Sequence, residues 1–335
     1  MKSLQEIEDD LLGPILDKML EIAQEGKMPQ TELIEVETDI IEVPKENQAL
    51  HFLRKSIDTP SNEEVRNMIL KELSEYTAIP TRIDLTLPTG EAHSVPGESR
   101  HYLFKDILQA VTANIPVALI GPAGSGKSTC VEQIAKAIDH KFFLQNSVTG
   151  AHELTGYMDA HGRYQTTAFR ECFEKGGLIF VDEADTSDAG AFKWINTAVA
   201  NGYAMFPDKA EPVLRHDTFK IVIAANTYGT GADRVYVGAN QLDASTLDRF
   251  VFFDFAYDEK LELALCGDLK WAKRVQAIRA AALGERARIV ISPRASIYGA
   301  KLLKIGWQQP TVEARVIWKG IDPELKERIL KKVRK

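Results

Sequence analysis

Lys127 and Ser128 close the stretch Gly121-Pro122-Ala123-Gly124-Ser125-Gly126-Lys127-Ser128-Thr129, which fits the pattern G-x-x-x-x-G-K-[ST]. A loop of this kind wraps phosphates in backbone N–H groups, sends its lysine to the outer phosphates and offers its hydroxyl to Mg2+. Downstream, Leu178 to Asp185 reads LIFVDEAD, an apolar run that delivers two adjacent carboxylates. Asp182 has the chemistry to share a Mg2+ with Ser128, and Glu183 to orient and deprotonate an attacking water. Apolar residues followed by Asp-Glu are common in isolation, and the signal gains its meaning from the phosphate loop upstream. Together the two stretches predict binding and hydrolysis of a nucleoside triphosphate, ATP, with Mg2+.

These groups need elements to hold them. Val117 to Ile120 reads as a buried strand and Ser128 to Ile138 as a helix with Val131, Ile134, Ala135 and Ile138 on one face, so the anion meets a helix N-terminus. Further strands are expected at Lys141–Gln145, Gly177–Val181, Phe219–Ala225 and Val251–Phe255, with helices at His101–Ala113, Thr167–Glu174 and Ala189–Ala200. Alternation of buried strands with helices implies a parallel five-stranded sheet covered on both faces, with chemistry at the carboxyl ends of its strands. Residues 258–335 show no strand signal and read as a helical lobe. Arg82–Leu87 alternates like a strand and leads into a loop from Pro88 to Ser99.

The front of the chain differs in composition. Residues 1–98 hold 21 acidic and 9 basic side chains, which leaves 27 of the 48 acidic and 32 of the 41 basic residues for the remainder. That front is read as an acidic appendage over 1–80, followed by an α/β core over 81–257 and a lid over 258–335. Within the appendage, residues 3–25 suggest two short amphipathic helices broken at Gly13-Pro14, Thr31–Val43 an edge strand, and Ser61–Tyr76 a helix opened by a Ser61/Glu64 capping box. An acidic front does not favour a polyanion partner. No apolar stretch approaches the length of a membrane span, and the acidic start MKSLQEIEDD argues against a secretory or transit peptide, so a cytoplasmic protein is expected. Cys130, Cys172 and Cys266 are odd in number and widely spaced, as packing thiols are. His152-Glu153 lacks a second histidine where a zinc helix would need one, because that position is Gly156.

From GPAGSGKS, LIFVDEAD, IVIAANT, TLDRF and ISPRAS in that order, over roughly residues 82–320, the chain resembles the AAA+ ATPases. Within them it resembles the MoxR and CobS-like branch with its dynein-related AAA module, including phage- and bacterial-type CobS-like ATPases. The resemblance implies a P-loop NTPase fold with β-hairpin insertions and a C-terminal helical lid. It implies Asn226 as a sensor that helps position the lytic water, Arg249 as an arginine finger for the neighbouring subunit's site, and Arg294 as a lid sensor near the γ-phosphate. Asn146 stands where the family often keeps a polar residue that restrains the catalytic glutamate. From the residues alone, Arg249 could instead pair with Asp248 or Asp254, and Arg294 could cap a helix.

Two insertions, Gly156–Tyr164 and Tyr203–Asp217, correspond in the resembling branch to hairpins that face a ring channel or a partner. Tyr157, Met158, Arg163, Tyr164, Tyr203 and Phe206 could grip a client there, or could simply pack the hairpins. The resemblance implies a homo-oligomer, a hexameric ring, that remodels a protein client, such as a von Willebrand A-type protein or a metal-insertion complex. Two alternatives stand beside this: a nucleic-acid motor or restriction-type translocase, and a nucleotide-gated assembly scaffold.

Overall fold

The computed structural model describes residues 83–86, 92–95, 99–232 and 235–333. The chain divides into two units, Met1–Tyr76 and Thr77–Lys335, and every described residue belongs to the second. The two helices expected in residues 3–25, the strand at 31–43 and the helix at 61–76 lie outside the described residues.

Strand β1 (Ile83–Thr86) pairs antiparallel with β2 (Ala92–Val95), Ile83 opposite Val95. β2 corrects the expectation of a loop from Pro88 to Ser99: Ala-His-Ser-Val carries almost no apolar signal, and its ladder with β1 defines it as a strand. Helix α1 (Phe104–Thr112) begins three residues later than expected, because the Nδ1 of His101 accepts from the Leu103 N–H at 3.2 Å in a turn ahead of the helix.

The central elements follow in order: β3 (Val117–Ile120), α2 (Lys127–Ala137), β4 (Phe142–Gln145) and the short α3 (His152–Thr155). After them come a hairpin of β5 (Tyr157–Met158) and β6 (Tyr164–Gln165), then α4 (Ala168–Lys175) and β7 (Gly177–Val181). A 3-10 turn at Ala184–Thr186 leads to α5 (Ala189–Asn201) and a second hairpin of β8 (Tyr203–Ala204) with β9 (Val213–Leu214). β10 (Phe219–Ala225), α6 (Ala244–Leu247) and β11 (Val251–Asp254) complete the α/β part.

Five of these strands form one sheet in the order β11-β3-β10-β7-β4, every neighbouring pair parallel. The inner strands read as near-continuous apolar runs because both faces are covered. β7 shows the consequence of a period of two: Leu178 and Phe180 join the core beneath α1 and α2, while Ile179 and Val181 join the core beneath α4 and α5. Fully buried aromatic residues such as Phe180 and Phe173 each stabilise this arrangement by about 1.5–3 kcal/mol. All strands run the same way, so β3, β7 and β10 release Gly121, Asp182 and Asn226 at one edge of the sheet.

The remaining helices are α7 (Glu259–Cys266), α8 (Leu269–Gly284), α9 (Pro293–Lys304), α10 (Gln309–Val316) and α11 (Pro323–Val333). Their own core gathers Trp271, Val275, Ile278, Val312, Ile317 and Ile329. Glu262, almost without exposure, receives both terminal nitrogens of Arg279 at 2.6 and 2.7 Å and the hydroxyl of Ser296. A buried carboxylate is tolerable only with such pairing. No described helix is long and apolar enough to cross a membrane.

Candidate phosphate site

The loop between β3 and α2 is shaped by close contacts. A Cβ on Gly121 would collide with the Phe255 carbonyl oxygen, so only glycine lets β3 turn here beside the end of β11. Gly126, at φ 97°, occupies the left-handed region and turns the chain into α2, with no side chain capping the helix. The first N–H groups of a helix have no partner within it, and those of α2 begin at Lys127 and Ser128.

Lys127 is folded back over this loop and 7% exposed. Its Nζ donates to the carbonyls of Gly121 at 2.7 Å and Pro122 at 3.2 Å and to Oδ1 of Asn226 at 3.2 Å. Burial lowers its pKa to about 8, opposed by the charges of Asp182, Asp185 and Glu183 and reinforced by Arg294. None of its hydrogen-bond acceptors is a carboxylate, so the ammonium keeps an unneutralised charge.

Ser128 donates to Oδ2 of Asp182 at 3.0 Å, bringing together two oxygen ligands of the kind Mg2+ takes. The other Asp182 oxygen accepts from the Glu183 N–H at 2.9 Å. Glu183 is exposed and adopts φ 52°, ψ 42°, a conformation uncommon for a residue other than glycine, at the head of the 3-10 turn. Asn146 follows the end of β4, is exposed, and makes no hydrogen bond to Glu183 among the described residues.

Arg294 lies at the start of α9. Its Nε would stand 3.4 Å from a Cβ on Gly124, with the Ser292 side chain at 2.8 and 2.9 Å from the same point. The arginine is exposed and has no ion pair among the described residues. Thr129 is exposed on the first turn of α2.

Arg249 stands elsewhere. It precedes β11, whose first residue Val251 pairs with Val117, the first residue of β3, so it sits at the strand-start edge of the sheet. The phosphate loop leaves the other edge, four strand residues or about 13 Å away at roughly 3.3 Å per residue. Arg249 is exposed, donates to the Ser245 carbonyl, and pairs with neither Asp248 nor Asp254 among the described residues.

Three groups at this site carry no local signal in the sequence. The Ala123 N–H donates to the Tyr236 hydroxyl, and the Tyr257 hydroxyl donates to the Ala123 carbonyl, both at 3.0 Å. Desolvation raises the Tyr257 pKa to about 12, and its ring carries the Arg279 guanidinium 4.6 Å from its centroid. Asp185 lies within the quoted LIFVDEAD run, yet nothing in the spacing announces that its carboxylate turns inward to the end of β10.

The site also fits a triphosphate and its metal on a polar atom that the protein leaves unserved. Ser125 Oγ is buried in the loop with no hydrogen-bond partner. An unpaired hydroxyl, an uncapped helix start and a buried ammonium surround one concavity, and all three favour an anion.

Residues 116–250 match the family described as AAA domain (dynein-related subfamily). Midasin of Dictyostelium discoideum is 25% identical over 188 residues, covering 50% of this chain, and the chain spans 3% of that relative's length. Looser likenesses to solved structures include NtrX from Brucella abortus, 16% identical with a TM-score of 0.41, covering 85% of this chain and 60% of that one. The RuvB Holliday junction branch migration motor of Thermotoga maritima is also 16% identical with a TM-score of 0.41, covering 69% of this chain and 67% of its own. The module between residues 116 and 250 is accordingly an AAA domain, and with its phosphate loop, buried lysine and Ser128–Asp182 pair the chain is an AAA+ ATPase that uses ATP and Mg2+.

Proposed function

We propose that this ATPase works as a cytoplasmic ring, a hexamer, that remodels a protein client in the manner of the MoxR and CobS-like branch. In this reading the core over 81–257 and the lid over 258–335 move as lobes through the ATP cycle. Lys127 and the backbone of 121–129 hold the phosphates, and Ser128 and Asp182 hold Mg2+, which when bound offsets phosphate charge. Glu183 orients the attacking water and accepts its proton, Asn226 fixes that water from the side, and Arg294 bears on the outermost phosphate from the lid.

The observation that carries the ring is the position of Arg249. An exposed arginine at the strand-start edge cannot reach phosphates at the opposite edge of its own sheet, yet it is free to enter a neighbour's site. An arginine supplied in trans contributes on the order of 10³ to 10⁵ in rate. Lys127→Ala and Arg249→Ala subunits should each be inactive, and mixing them should restore part of the turnover, since some interfaces then join an intact loop to an intact arginine. Subunit exchange is verified first by native mass with ATP present. If exchange occurs and the mixture stays inactive, Arg249 does not act in trans.

A protein client is favoured over nucleic acid by the hairpins. Their basic residues are engaged internally: Arg163 with Asp159, Lys209 with Glu174, and Arg215 with the Val199 carbonyl. Tyr157, Met158 and Tyr203 are the exposed side chains left to grip a client, whether a von Willebrand A-type protein or a metal-insertion complex. Turnover stimulated by added DNA or RNA would turn the choice to a translocase. Absence of turnover in the assembled protein would turn it to a nucleotide-gated scaffold.

A further inference from the structure

Asp185 is 1% exposed, and a single oxygen of its carboxylate, Oδ2, accepts three hydrogen bonds, each 3.0 Å long. The donors are the N–H of Asn226, the N–H of Thr227 and the hydroxyl of Thr227. The other oxygen, Oδ1, is buried with no partner. An unserved carboxylate oxygen in the interior costs stability, and a shorter neutral side chain would avoid that cost. Fold stability alone therefore does not call for an aspartate here.

What the carboxylate achieves is registration between two strand ends. It belongs to the 3-10 turn that starts at Glu183, and the Glu183 carbonyl closes that turn by accepting from Thr186 N–H at 2.9 Å. Asp185 also accepts the Asn240 N–H on its own carbonyl at 2.5 Å, while Asn240 Nδ2 donates to the carbonyls of Thr186 and Ser187 at 3.2 and 3.1 Å. The turn is thus clamped from outside, and its inward carboxylate seizes the first two residues after β10. With the Asn226 backbone fixed, its side-chain oxygen faces Lys127 Nζ at 3.2 Å.

We propose that Asp185 is a positioning residue for ATP hydrolysis, holding Asn226 at a fixed offset from Glu183 and Lys127 so that base, sensor and lysine address one reacting centre. The assignment rests on the hydrolytic roles of Glu183 and Asn226 given above. It predicts a defect in turnover rather than in nucleotide affinity, because Asp185 itself touches no part of the phosphate loop.

The test is a double-mutant cycle on the full chain, with oligomeric state checked by sedimentation. Asp185→Asn should lower kcat by about 10- to 100-fold, as small misplacements of reacting groups do, and leave KM for ATP within about 3-fold, since the loop is untouched. Introduced into Asn226→Ala, which is itself slow, the same change should cost almost nothing further, because the residue through which it acts is gone. Thr227→Val removes one of the three donors without altering any charge and should lower kcat by about 2- to 10-fold, the equivalent of one neutral hydrogen bond. It carries the same two-background comparison if Asp185→Asn does not fold. Equal fold-losses in the wild-type and Asn226→Ala backgrounds would overturn the proposal and leave Asp185 a stability residue. So would wild-type turnover in Asp185→Asn or in Thr227→Val. A wild-type protein without turnover would instead remove the hydrolytic reading itself, and Asn226→Ala with full turnover would remove the sensor role together with the proposal.

Discussion

Two cations are buried in the α/β part of this chain, Lys127 in the phosphate loop and Arg170 on α4, and their surroundings are opposite in kind. Arg170, 2% exposed, meets Glu174 Oε2 at 3.1 Å and both oxygens of Asp208 at 3.2 and 3.5 Å, and it lies over the Phe206 ring at 4.0 Å and the Tyr164 ring at 5.9 Å. Lys209 closes the cluster on Glu174 at 2.8 Å. One side chain thereby ties both hairpins to α4, and its charge is balanced in place. Lys127 is almost as buried but is met only by neutral oxygens, with Ser125 Oγ unserved beside it. A buried cation whose partners are complete holds structure together. One whose charge is left over marks where a ligand belongs.

Breaking the open site should abolish chemistry without loosening the fold. Glu183→Gln should bind ATP normally and lose hydrolysis by about 10²- to 10⁴-fold, the contribution of a general base; single-turnover assays alongside equilibrium binding check both halves. Breaking the closed site should do the reverse. Arg170→Met strands Asp208 and Glu174 and should cost about 3 kcal/mol of stability, somewhat reduced because those carboxylates are partly exposed, seen as a lower midpoint in urea with ATP affinity per folded molecule unchanged. A smaller effect sharpens the boundary between the two. Tyr257→Phe removes the hydrogen bond to the Ala123 carbonyl and should weaken ATP binding by about 1 kcal/mol, measurable by isothermal titration. If Arg170→Met instead abolished nucleotide binding in a fully folded protein, the division between the regions would fail.

The same contrast explains what could be read in the residues. The inner strands β3, β7 and β10 announce themselves as apolar runs because burial on two faces demands it, and the phosphate loop is a local pattern within nine residues. β2 gives no such signal, since its extended form depends on β1 rather than on its own side chains. Contacts across long sequence distance were equally silent. Tyr236 and Tyr257 reach Ala123 from 113 and 134 residues away, and Asp185 reaches Asn226 across 41. Among the residues expected to grip a client or pack the hairpins, Phe206 is 3% exposed against Phe173 and Trp194, and Tyr164 spends its hydroxyl on the Thr155 carbonyl at 2.6 Å. Both are packing residues. Hairpin spacing alone cannot tell the inward side chain from the outward one when the strands are two residues long.

The most direct test of the account is ATP affinity of Lys127→Ala beside the wild type, measured by isothermal titration on samples whose urea midpoints agree. The unneutralised charge of Lys127 is the feature that separates the open site from the closed one, so its removal should leave no binding detectable at millimolar ATP, with the fold intact. An unchanged affinity in Lys127→Ala would mean that the 121–129 loop is not the phosphate site, and the assignment built on it would fall.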